Sequence, residues 1–310
     1  MIKKTDKIFV AGHKGLIGSA IVRKLKSKGY KNILTIEKKK INLIDQKKVF
    51  NFLKKNKIKS IIICAARVGG IKANNDYKAN FIYENLAIQN NLIHGAKINN
   101  INNLIFLGSS CVYPKYCKQP IKEKYLLSGD LEKTNEPYAI AKIAGLKLCE
   151  SYNFQYKTNY KCLMPCNTFG INDNFDLETS HFFPALIKKI YTETKRKKKS
   201  VTLWGTGRPK RELMFVDDLA EACIFFMNKK TKNTLINIGT QKEMSIKNYA
   251  EFVKKKINSN IRIKFDNNKF MDGTPRKILD CKLAKSYGWK SKISLNKGFD
   301  ITFKYFTANL

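Results

Sequence analysis

No apolar run in this 310-residue chain is long enough to cross a bilayer, and the Lys-rich start shows no secretory signal. A membrane-embedded or exported protein is therefore not expected. The eight cysteines lack any paired metal-ligand spacing, which excludes a zinc module and leaves no metal to predict. Several fall in apolar stretches, Cys64 in an expected strand and Cys149 and Cys223 in expected helices, as reduced thiols of a cytoplasmic protein would. No Pro/Gly/Ser-rich linker and no internal repeat marks a boundary.

Acidic residues are also scarce, 24 against 60 lysines and arginines, for a formal charge of +36. The excess runs from end to end, is mostly lysine, and accompanies abundant Asn and Ile, a bias that AT-rich codons produce. Basic runs at 38–40 and 195–199 carry no aromatic interleaving and no helix-turn-helix pattern, so no nucleic-acid partner is expected. A positive field does favour the approach of anionic small molecules. With 43% hydrophobic residues the chain can bury a large core.

Apolar strand-like runs alternate with helical patterns: Lys7 to Ala11, Asn32 to Ile36, Ser60 to Ala65, Leu104 to Leu107 and Tyr160 to Met164. Such alternation predicts an α/β fold, a doubly wound parallel sheet of Rossmann type with helices on both faces. The first run enters GHKGLIG, with glycines at 12, 15 and 18, and Leu16 to Lys28 then shows helical spacing that Gly29 can end. Strand, glycine turn and helix in that order form a dinucleotide site, because glycine lets the backbone approach a pyrophosphate at the positive end of the helix. The spacing is G-x-x-G-x-x-G rather than G-x-G-x-x-G; a tight turn without ligand is the alternative.

Tyr138 and Lys142 share a helix face in PYAIAK, and LGSSCVYP places Ser109 and Ser110 after an apolar run. A cation beside a phenol lowers its pKa, so the pair suits proton transfer at an oxygen that Ser109 or Ser110 could also bond. Read alone, the serines equally satisfy loop backbone.

Taken together, AGHKGLIGSAI, AARVGGI, FLGSSCVYPK, NEPYAIAKIAGLKLCESYN, SHFFPALI, LWGTG, RELMFVDDLA and DGTPRK resemble the extended short-chain dehydrogenases/reductases from residue 11 to residue 277. The likeness is greatest to the branch that epimerises GDP-4-keto-6-deoxy-D-mannose at C3 and C5 and reduces it at C4. It implies Tyr138 as proton donor, Lys142 tuning it and holding the nicotinamide ribose, Ser109 orienting the carbonyl, and Cys111 and His181 as the proton-transfer groups at C3 and C5, their division open.

The resemblance also implies an NADP(H) site of Gly12, His13, Lys14, Gly15, Leu16, Ile17, Gly18, Lys38, Leu107, Gly108, Ser109, Ser110, Lys142, Pro165, Cys166, Asn167, Thr168 and His181. Glu37 points to NAD, whereas Lys14 and Lys38 point to a 2′-phosphate; relatives commonly carry Arg at the position of Lys14 and use NADPH. Nucleotide-sugar contacts fall to Asn167, Lys189, Trp204, Arg211, Asp272 and Arg276. PCNTFG stands where relatives often read PTNLYG, a difference that leaves every proton-transfer group in place.

By the same likeness residues 1–168, with 212–240 returning, form the cofactor domain and the rest of 169–310 mainly a substrate domain. A homodimer through the helices of Tyr83 and Tyr138 is expected. The rival readings are an NAD-retaining 4-epimerase or 4,6-dehydratase, and a non-catalytic NADP-sensing module.

Overall fold

The computed structural model describes residues 2–310, apart from the side chains of Phe270 and Met271. In chain order the first half contains β1 (Ile8–Ala11), α1 (Leu16–Ser27), β2 (Ile33–Leu34), α2 (Gln46–Asn56), β3 (Ser60–Ile63), α3 (Ile71–Asp76), α4 (Lys78–Ile98) and β4 (Asn103–Leu107). Next come α5 (Glu136–Tyr156), β5 (Asn159–Pro165), β6 (Asn167–Phe169), α6 (Phe182–Lys195), β7 (Ser200–Leu203), β8 (Lys210–Phe215) and α7 (Val216–Asn228). The chain closes with β9 (Leu235–Ile238), β10 (Glu243–Ser245), α8 (Ile246–Lys256), β11 (Arg262–Phe265), β12 (Arg276–Lys277), α9 (Lys282–Ser286) and α10 (Leu295–Ala308).

All five expected strands are present and join β9 in a six-stranded sheet of order β2-β1-β3-β4-β5-β9, every pairing parallel. Strands β1 and β3 are buried along their whole length, as the continuous apolar runs IFVA and SIII require of a sheet covered on both faces. Helix α1 packs with α7, and α2 packs on α4, which packs on α5. Local signals set these helices: Asp45 caps α2 by accepting from the Lys48 N–H at 3.0 Å, and Lys57 ends it in the left-handed region.

The strand order reverses between β1 and β3, and ligands of open parallel sheets bind at such a reversal, beyond the carboxyl ends of the strands. There the chain turns sharply at Gly12 (φ +85°), and a Cβ on Gly12 would lie 2.6 Å from the Ala65 nitrogen after β3. A Cβ on Gly18 would lie 2.1 Å from the Gly12 carbonyl oxygen. The two glycines thus permit the close approach of loop, helix and neighbouring strand.

A second, aromatic-rich core gathers Phe169, Phe183, Phe215, Tyr249, Phe299 and Phe306. Phe169 meets Phe183 edge-to-face at 4.8 Å, a geometry worth about 1 kcal/mol beyond the area buried. This core supports β8, which pairs with β6, β10 and β12. Leu279, Cys281, Ala284 and Trp289 pack instead against the core of the large sheet, so the chain after β12 returns to it before α10 joins the aromatic cluster.

Candidate active site

One cavity of about 1030 Å³ runs from the glycine turn to the aromatic-rich half. Its wall brings together Gly12, Gly15, Leu16, Ile17, Gly18 and Lys38 with Gly108, Ser109, Ser110, Cys111 and Tyr138. Pro165, Cys166, Asn167, Thr168, His181, Lys189, Trp204, Arg211 and Asp272 complete the expected set. Five expected residues do not line it: His13, Lys14, Leu107, Lys142 and Arg276.

At the glycine turn, Gly15 caps α1 with no side chain over the helix end, so the first-turn N–H groups, which no helix pairs internally, face the cavity. That arrangement suits a pyrophosphate. Lys14, exposed at the tip of the turn, ion-pairs with Glu37 at 3.0 Å, and Lys39 reaches the same carboxylate at 3.4 Å. Their hydrogen bonds, Lys14 first, hold the Glu37 carboxyl below its ordinary value. Lys38 remains on the cavity wall. The cradle fits a dinucleotide bearing a 2′-phosphate, with Lys38 on the cavity wall and Lys14 outside it, held by Glu37.

Deeper in the cavity, Ser109 follows β4 and its hydroxyl accepts from the Cys111 N–H at 3.3 Å, ordering the turn that presents both residues. Lys142 is buried, donates to the Leu107 carbonyl at 2.9 Å and lies 5.8 Å from the centre of the Tyr138 ring. Burial pushes its pKa down to about 8.

The expected lowering of the Tyr138 phenol is not found. Burial, and after it the neighbouring Cys111, hold the phenol above its ordinary value, against the opposing hydrogen bond from Ser109. Helical spacing does bring Lys142 beside the ring, but the ammonium is engaged by a carbonyl behind it. Tyr138 therefore keeps its proton at neutral pH, the form a donor needs.

Cys111 receives two donors on its sulfur, Asn135 Nδ2 at 3.6 Å and Lys277 Nζ at 3.5 Å. His181 precedes α6 and shows its ring to the cavity, open to a small molecule yet surrounded by protein. Desolvation, and next the Lys277 cation, lower its pKa. Arg211 lies nearby on β8, its guanidinium donating to the Asp272 carbonyl at 2.8 Å, with its pKa brought down by burial to about 10.

Toward the far end, Lys189 sits 5.6 Å from the Trp204 ring centre, a cation beside a flat apolar surface. Asp272 lines the cavity, but its carboxylate holds the loop after β7, accepting from the Thr206 N–H and hydroxyl, both at 2.8 Å. Arg276 is a correction. Consecutive strand residues point to opposite faces, and Arg276 turns outward to grip Glu243, its Nε 2.9 Å from both oxygens. Its neighbour Lys277 points inward.

Sequence reasoning missed Lys277, Asn135 and Asp173. The first two adjoin expected residues, in DGTPRK and NEPYAIAK. Asp173 lines the cavity with one carboxylate oxygen buried and unpartnered, and burial pushes its pKa up to about 7.

Residues 8–239 match the NAD dependent epimerase/dehydratase family. Over the full chain the protein is 45% identical to a putative GDP-L-fucose synthase 2 of Arabidopsis thaliana, covering 94% of it. It is 44% identical to the GDP-L-fucose synthase of Escherichia coli K12, covering 98% of this chain and 97% of that one. Among solved structures, the GDP-mannoheptose C4 reductase of Campylobacter jejuni with NADP bound superimposes with a TM-score of 0.90 at 36% identity, covering 99% of this chain and 100% of that one. Likeness of this extent, with the cavity chemistry above, shows that the chain belongs to the NAD dependent epimerase/dehydratase family and, within it, to the GDP-L-fucose synthase group.

Proposed function

We propose that the chain converts GDP-4-keto-6-deoxy-D-mannose to GDP-L-fucose, epimerising C3 and C5 and then reducing C4 with NADPH. The carrying observation is that one cavity holds two proton-transfer sets, Ser109 with Tyr138 and Cys111 with His181. A plain reductase has no use for the second set.

The C4 carbonyl acidifies the hydrogens at C3 and C5. One member of the Cys111 and His181 pair takes such a proton while the electron pair moves onto O4, and the carbon regains a proton on its other face. Ser109 and the phenol of Tyr138 bond O4 as charge develops there. Bound NADPH supplies the hydride for C4. Tyr138 then gives its proton to O4, and Lys142 balances the charge left on the phenol.

Gly12, the first turn of α1, Lys14 and Lys38 hold the cofactor phosphates, and residues 108–111 and 165–168 line its nicotinamide end. Lys189, Trp204 and Arg211 hold the nucleotide-sugar. In this reading the cofactor half comprises residues 1–168 with 212–240. Two copies pair through α4 and α5, which leave Tyr83 and Ile140 exposed. All eight cysteines are free, as suits a reducing cytoplasm.

The test is NADPH oxidation followed at 340 nm with GDP-4-keto-6-deoxy-D-mannose in deuterated water, the product read by NMR. Cofactor consumption with deuterium at C3 and C5 and a galacto-configured product is the expected result. A rhamno-configured product without deuterium would remove Cys111 and His181 from the reaction. No net consumption would point to a cofactor-retaining epimerase or dehydratase.

A further inference from the structure

Lys277 is held in place by its strand. The short β12 runs parallel to β8 with Lys277 opposite Arg211, and its flanks are pinned. Lys210 N–H donates to the Pro275 carbonyl at 2.9 Å, Ile278 N–H to Gln119 Oε1 at 3.0 Å, and Leu279 N–H to Glu212 Oε2 at 2.8 Å. Because Arg276 turns out to Glu243, strand alternation sends Lys277 into the cavity. Among the described residues no carboxylate ion-pairs with it, and its one hydrogen-bond acceptor is the Cys111 sulfur at 3.5 Å.

A thiol sulfur is a weak acceptor, whereas a thiolate accepts strongly from a cation. Two N–H donors, one of them charged, converge on this sulfur. The same cation faces His181. Tyr138 from α5 and Arg211 from β8 also feel the charge of Cys111, Arg211 lying beside Asp272 and Glu132 as well.

We propose that Lys277 is the positioning residue of the epimerisation step, holding Cys111 as the thiolate that takes the proton next to the C4 carbonyl. The inference rests on the functional reading above. In the step, the thiolate sulfur forms the S–H bond, the C–H pair becomes a carbon–carbon double bond, and the carbonyl π pair moves onto O4. Lys277 keeps its own proton throughout. A cation held between the two groups also makes a protonated His181 a readier donor for the return step.

The experiment is iodoacetamide labelling of the intact enzyme across pH, read at the Cys111 peptide by mass spectrometry, in wild type, Lys277→Met and Lys277→Arg. Deuterium wash-in at C3 and C5 is measured in parallel. Lys277→Met is expected to raise the pH of half-maximal Cys111 labelling by about one unit and to slow wash-in about tenfold at pH 7. Lys277→Arg, keeping the charge, returns the labelling profile close to wild type. A Lys277→Met profile superimposed on wild type overturns the inference, as does a shift that Lys277→Arg fails to reverse. Labelling needs no sugar nucleotide, so wild-type inactivity on the substrate overturns the functional reading while the labelling arm judges Lys277 separately.

Discussion

The ammonium of Lys142 donates to the carbonyl of Leu107 at 2.9 Å, tying α5 to the end of β4 from behind the cavity wall. This buried cation has a pKa of about 8 against an ordinary 10.5, because desolvation disfavours its charged form. The free enzyme therefore loses the charge as pH rises through about 8. The kcat/KM for reduction, which reports groups in the free enzyme, is expected to fall about tenfold per unit above that pH. Lys142→Met should remove the alkaline limb while costing about 100-fold or more at pH 7. A pH profile of NADPH oxidation for the two proteins checks both.

In the proposed cofactor site, the Lys14 and Glu37 ion pair at 3.0 Å is expected to influence the choice between NADPH and NADH. A 2′-phosphate draws Lys14 away from Glu37, and the carboxylate left beside it repels the phosphate. Glu37→Gln keeps the shape and removes the repulsion, so the preference for NADPH over NADH should rise, by about tenfold at most for so exposed a charge. The ratio of kcat/KM for the two cofactors measures it. An unchanged ratio would show that Lys38 alone reads the phosphate.

Arg211 and Arg276 offer a direct contrast. Arg276 is exposed, and its Glu243 pair is of the surface kind worth about 0–1 kcal/mol, so Arg276→Ala should leave kcat/KM within about twofold. Arg211 lies in the cavity wall and fixes the Asp272 carbonyl at 2.8 Å. Arg211→Ala should cost about 100-fold in kcat/KM, mostly through KM, since a charge-assisted contact to the nucleotide and the register of its loop go together. Steady-state kinetics on the two variants decide it.

Much of this was legible in the chain. Five strands announced themselves as apolar runs, with β2 shortened to Ile33–Leu34 and β3 stopping before Cys64. The sheet's sixth strand, β9 (Leu235–Ile238), is not among the expected strands. The glycine turn, the serines after β4 and the Tyr138 helix carry strong local patterns, so their convergence on one cavity follows from the strand order. Two features escaped for physical reasons. A two-residue strand such as β12 has no periodicity to read, which put Arg276 in the site and left Lys277 out. Burial of the Tyr138 hydroxyl depends on elements distant in sequence, so the direction of its shift could not come from helical spacing.

Lys161, in the centre of β5, gives a prediction about stability. Its side chain is buried, donates to Asn159 Oδ1 at 2.9 Å, and lies outside the cavity wall. Burial alone lowers its pKa from 10.5 to about 8. Between those values the unfolded chain holds a proton that the folded chain has released, so stability rises with pH across that window. Below pH 8 both states are protonated and the fold carries the whole penalty of a desolvated cation, about 3 kcal/mol for a shift of this size. Lys161→Met fills similar volume without charge. It should stabilise the protein by up to about 3 kcal/mol at pH 7, with the advantage shrinking toward zero by about pH 10.5, and with turnover unchanged. Urea unfolding of wild type and variant at pH 7 and pH 10 measures this directly. An advantage equal at the two pH values would mean that packing, not charge, is responsible.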